Sequence, residues 1–248
     1  MSGHSKWHNR IHRKSRQDAK RGAVYSKMAK EITLAARSGG DPDANTRLRL
    51  AVDRAREAGV PADNIKRAIE RGSGAGADAA NFEEIVYEGY GPGGVAILLE
   101  IATDNRNRTA GEVRYIFSRN GGNLGESGSV AWMFDRKGLL TVERGEGAPD
   151  EERMLELALE AGAEDVRTLD DAFEIVTGPQ DFYAVKGALE GHGVRFADAS
   201  LTMIPKNQIK VESKEAETLS HLVELLEEHE DVQEVYTNLL EDEAEVAI

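Results

Sequence analysis

Lys6, Trp7, Arg10, Arg13, Lys14, Arg16, Lys20 and Arg21 crowd the first two dozen residues of the chain. Cations at this density suit a phosphate backbone, because each one laid on it releases condensed counterions, and the Trp7 indole offers a plane for stacking on a base. Residues 3–37 hold ten Lys or Arg against two acids, in a chain whose net charge is −14. Through Arg71 there are 17 basic and 8 acidic residues, and beyond it 14 basic and 37 acidic. One end attracts polyanions while the rest repels them, so the phosphate backbone of a nucleic acid is the expected partner. Arg47, Arg49 and Arg54 lie off the apolar stripe of their helix and extend the patch. The competing reading is a solvated basic tail, and Trp7 weighs against it.

A second candidate is the stretch 103–109, Thr-Asp-Asn-Arg-Asn-Arg-Thr. Thr109 and Glu112 have the spacing of a capping box, which would start a helix directly behind Arg106 and Arg108. A helix N-terminus beside two guanidinium groups is an anion or partner site, with equal weight on a polar loop whose arginines neutralise neighbouring acids. Gly89 to Gly94 spells G-x-G-x-x-G, but an apolar strand pattern follows where a dinucleotide site needs a helix, so it reads as a hairpin loop. His4, His8 and His12 share a helical spacing, yet the cations around them disfavour a metal. The run Glu227-Glu228-His229-Glu230-Asp231 reads as a solvated face. With no cysteine and no nucleophile constellation, neither metal, cofactor nor catalysis is expected.

Three helices should carry the basic region, one through Val24, Met28, Ile32 and Ala36, one capped at Asn45, and one opening at Pro61. The small-residue stretch from Gly72 to Ala77 reads as a hinge. Strands then follow near 85–87, 95–101 and 130–134 with a helix over 109–118, in a sheet expected to be mixed. Residues 135–206 alternate as βαββαβ, the ferredoxin-like order. A final amphipathic helix and a short strand near 232–236 need a sheet to join. The expected architecture is α+β and multidomain: a helical N-terminal domain (1–76) and two ferredoxin-like α/β domains. One of these is discontinuous (81–134 plus 207–240), and the other (135–206) is inserted in it. The longest aliphatic run, Val95 to Leu99, is far too short for a membrane span, and a cytoplasmic setting without membrane contact is expected.

Several motifs together closely resemble the YebC/PmpR family: Gly3-His4-Ser5-Lys6-Trp7, Gln17-Asp18-Ala19-Lys20-Arg21-Gly22, Gly40-Asp41-Pro42-Asp43-Ala44-Asn45, Tyr87 through Gly94, Thr103 through Thr109, and Asp135-Arg136-Lys137-Gly138. The match covers essentially the whole chain, with small departures at Arg10-Ile11 and at Val60 before Pro61. The resemblance implies a helical domain and two α/β domains around a cleft, and a cytoplasmic, DNA-binding transcriptional regulator. Relatives such as the mitochondrial translational activator of cytochrome oxidase imply an alternative, a ribosome-associated factor that relieves stalling at proline-rich stretches. A protein-interaction adaptor with an acidic partner is the third reading. The helices show no recognition helix of helix-turn-helix type.

Overall fold

The computed structural model describes residues 21–74, 82–145 and 147–240. Helix α1 (Arg21–Ala36), α2 (Thr46–Glu57) and α3 (Ala62–Gly72) form the N-terminal region. Their inward residues, among them Ile32, Ala36, Leu48, Val52, Ile65 and Ala68, make one apolar cluster. Small residues let the helices approach closely. A Cβ on Gly72 would lie 2.1 Å from the Thr33 carbonyl oxygen, so only glycine fits there. Asn45 links two helices. Its Oδ1 accepts the Leu48 N–H at the start of α2, while its Nδ2 donates to the Ala35 and Gly39 carbonyls at 2.8 Å.

The chain continues through β1 (Glu83–Tyr90), β2 (Ala96–Thr103), α4 (Arg106–Arg119), β3 (Asn123–Leu124) and β4 (Phe134–Glu143). Then come α5 (Glu151–Ala161), β5 (Asp165–Thr168), β6 (Ala172–Thr177), α6 (Phe182–Gly191), β7 (Asp198–Pro205), α7 (Ser213–Glu228) and β8 (Val232–Thr237). Two four-stranded sheets result, ordered β3-β1-β2-β8 and β5-β6-β4-β7. The second has the ferredoxin-like order and is inserted between the strands of the first. β8 returns to pair with β2, placing Leu99 opposite Val235. By contacts the described residues fall into two compact units. One is Trp132–Lys210 with Leu240, and the other joins the described residues from 21 to 131, including the three helices, to Val211–Leu239.

β2, paired on both edges with β1 and β8, is buried along its length except at Glu100, which is half-buried. The loop from Gly91 to Val95 closes a β1–β2 hairpin, with the Gly91 N–H on the Val95 carbonyl at 2.8 Å and Gly93 at φ 69°. The G-x-G-x-x-G run is thus a turn between antiparallel strands.

Three expectations are corrected. Every strand pairing is antiparallel, not mixed, because each helical crossover connects strands that are not neighbours. Residues 130–133 are not a strand of the first sheet. The Glu88 carboxylate accepts the N–H groups of Gly128, Val130 and Ala131 at 2.6–2.7 Å and holds the segment in a turn, while two-residue β3 supplies the sheet edge and Phe134 opens β4. Burial alone would raise the Glu88 pKa, but these three hydrogen bonds outweigh it and hold the group below the ordinary carboxylate range. Finally, α4 is capped by Asn105, whose side chain accepts the Arg108 N–H, and not by Thr109.

Candidate nucleic-acid interface

Of the predicted contact residues, Lys6, Trp7, Arg10, Arg13, Lys14, Arg16 and Lys20 lie outside the described residues, as do His4, His8 and His12. Arg21 opens α1, and its side chain is likewise not described. Of the four arginines of α2, the three predicted as contacts are each engaged. Arg47 pairs with Glu84 at the start of β1, and this hydrogen bond raises its pKa against the opposing cost of burial. Arg49 folds back onto the Pro42 and Asp43 carbonyls at 3.1 and 2.7 Å. Arg54 pairs with Glu31 of α1 at 3.2 Å. Cations of the basic region thus also bind the helices to each other and to the first sheet. Arg67 and Arg71 stand exposed on α3.

Arg106 and Arg108 occupy the first turn of α4, and the anion at that helix start comes from the chain itself. Asp231, between α7 and β8, is 1 % exposed. Its Oδ1 accepts Lys30 Nζ of α1 at 2.6 Å. Its Oδ2 accepts Thr109 Oγ1 at 2.7 Å, Arg108 at 2.9 Å and Thr103 Oγ1 at 3.2 Å. Burial would push this carboxyl up, but the hydrogen bonds from Lys30, Thr109 and Arg108, together with the Lys30 charge, hold it far below the ordinary range. Lys27 donates to the Glu227 carbonyl in the last turn of α7, and Lys30 also donates, at 2.9 Å, to the Glu230 carbonyl just beyond it.

His229 extends the cluster. Its Nδ1 accepts the Asp231 backbone N–H at 3.1 Å, which leaves the proton on Nε2, 2.9 Å from Glu112 Oε2. Glu112, His229 and Asp231 offer ligand atoms within 4.8 Å of one another, the spacing a divalent cation would use. Those atoms already serve Lys30, Arg108 and each other, so the arrangement works as a hydrogen-bonded knot. The expectation of a solvated face over 227–231 therefore holds at exposed Glu228 and Glu230 and fails at Asp231. The only sequence signal for that residue is its place directly before the apolar strand at Val232.

Arg106 points differently. Its backbone carbonyl accepts the Tyr87 hydroxyl at 3.2 Å; burial raises the pKa of that phenol, and the charges of Arg106 and Arg114 only partly oppose the rise. Arg114, Tyr115, Ser118 and Arg119 are all exposed along α4, and the Arg119 guanidinium sits 5.9 Å from the centre of the Tyr115 ring. This face lies beyond the 103–109 stretch, and its signal in the sequence is Arg114-Tyr115 and Arg119 at helical spacing.

A helical N-terminal region followed by two antiparallel α/β layers, one inserted in the other, defines a multidomain α+β protein. Residues 5–75 match the family model described as the TACO1/YebC protein N-terminal domain, and residues 82–239 match the one described as the TACO1/YebC second and third domain. A probable transcriptional regulatory protein of Pelotomaculum thermopropionicum is 55% identical, with 96% of this chain and 98% of that protein aligned. Another so named, from Desulforamulus reducens, is 54% identical over 98% of this chain and all of its own length. The crystal structure of a conserved hypothetical protein from Aquifex aeolicus superposes with a TM-score of 0.81 at 43% identity, covering 92% of this chain and 94% of that one. The chain belongs to the TACO1/YebC family.

Proposed function

We propose that this protein is a non-enzymatic regulator of gene expression that works in the cytoplasm by binding nucleic acid through residues 1–76. The observation that carries the reading is the charge reversal along the chain, with 17 basic against 8 acidic residues through Arg71 and 14 against 37 beyond it. Relatives named as probable transcriptional regulatory proteins support the regulatory role. Among the described residues no helix is long and apolar enough to cross a membrane, which accords with a partner in solution. In the proposed division of labour, the net acidic charge beyond Arg71 repels polyanions over most of that part of the chain and so orients the basic end on the nucleic acid.

A second reading, action on ribosomal RNA during translation, is favoured by the α2 arginines. Arg47, Arg49 and Arg54 are tied to Glu84, to their own capping loop and to Glu31, so α2 does not offer free guanidinium forks to base edges in a major groove, while the exposed Arg67 and Arg71 suit phosphate contact. Ultraviolet crosslinking of the tagged protein in cells, with sequencing of the attached DNA and RNA, separates the two. Discrete promoter DNA supports transcription control, whereas dominant ribosomal RNA or tRNA supports translation. Reversing Lys6, Arg13 and Lys14 should weaken binding and lower its salt slope by about one unit per lost phosphate contact. An unchanged slope would move the anchor elsewhere.

A further inference from the structure

Beyond Arg71 the chain carries 14 basic residues against 37 acidic, yet α4 reverses that balance with four arginines against the single Glu112. Its charges divide by direction. Arg108 is bound to Asp231 and Asp104, and Glu112 to His229, so the acids beside the helix are already engaged. Arg114 and Arg119 have no carboxylate partner among the described residues. Between them stands Tyr115, a 64% exposed aromatic ring on a helix whose opposite face buries Thr109, Val113 and Phe117. One turn earlier is Gly111, and a Cβ built there would meet nothing within 4 Å, so no side chain covers the side toward which a helical tyrosine leans.

We infer that the outward face of α4 is a second contact for nucleic acid, with Tyr115 as a stacking platform for an unpaired base and Arg114 and Arg119 as ligands of the flanking phosphates. The inference rests on the nucleic-acid reading above and narrows it to single strands and loops. Bases in a duplex are stacked on each other and present no face to a ring on a helix surface, whereas splayed bases do. Arg119 beside the ring suits both roles, since a guanidinium can stack on the same base and reach its phosphate.

The test uses the full chain and fluorescence anisotropy with a labelled oligouridine of about a dozen nucleotides, and a DNA duplex of like length as control. Tyr115→Ala should weaken oligouridine binding about tenfold, leave duplex binding unchanged and melt like the parent, while Tyr115→Phe, which keeps the ring, stays within about twofold. R114E/R119E should lower the single-strand salt slope by about one unit or more. Oligouridine binding that ignores both Tyr115→Ala and R114E/R119E, but is lost on reversal of Lys6, Arg13 and Lys14, overturns this inference and leaves the broader reading standing. Equal weakening by Tyr115→Ala and Tyr115→Phe overturns the stacking role. A parent chain that binds neither probe overturns the broader reading itself.

Discussion

Arg108 and Arg114 lie on the same helix, fewer than two turns apart, and meet opposite surroundings. At the start of α4, Arg108 joins Lys30, Thr103 and Thr109 around a carboxylate that is 1 % exposed, a knot drawn from α1, β2, α4 and the α7–β8 junction. Farther along, Arg114 and Arg119 flank an exposed tyrosine, with no carboxylate bound to either among the described residues. On the proposed reading, a basic residue that the fold leaves unclaimed is the one available to a partner. The same division runs through the N-terminal region, where Lys27 and Lys30 are held by carbonyls at and just beyond the end of α7 while Arg67 and Arg71 face solvent.

The largest effect should come from breaking the knot. Asp231→Ala leaves Lys30 and Arg108 facing a buried gap without their counter-charge, and urea unfolding should register a loss of about 3–5 kcal/mol. The same carboxylate gives a pH signature. Its folded pKa lies below the unfolded value of about 4, so its stabilisation is complete at neutral pH and declines as pH falls through that value toward the folded one. Unfolding free energies between about pH 7 and pH 3 should fall less steeply for Asp231→Asn than for the parent. Next comes Glu88→Gln, which sets an amide nitrogen against backbone donors now shared by two carboxylate oxygens. A loss of about 1–3 kcal/mol in the same unfolding assay is expected. Arg47→Ala removes a half-exposed pair with Glu84 and should cost less than about 1 kcal/mol.

Legibility followed the range of the interactions. The three N-terminal helices, the Asn45 cap, the hairpin at Gly91 to Val95 and the βαββαβ order all rest on contacts within a few residues or on simple periodicity, and the sequence showed them. The segment 130–134 misled because Val130, Trp132 and Phe134 alternate like a strand, while the turn that replaces it depends on Glu88, some 40 residues away. Thr109 resembled a cap because of Glu112 three residues on. Asn105 takes that role, and the Thr109 hydroxyl turns to a partner 122 residues distant. Asp231 was hidden for the same reason. Beside Glu228 and Glu230 it looked like one more solvated acid, and neither Lys30 nor Arg108 has any sequence link to it.

The most direct test measures folding and binding together for Arg108→Ala and Arg114→Ala in the full chain. Arg108→Ala should lose about 1–3 kcal/mol of stability and keep the salt slope of oligouridine binding. Arg114→Ala should stay within about 0.5 kcal/mol of the parent and lower that slope by roughly 0.7. The contrary pattern, a lowered slope with intact stability for Arg108→Ala and an unaltered slope for Arg114→Ala, would contradict the division between arginines that hold the fold and arginines that meet the partner.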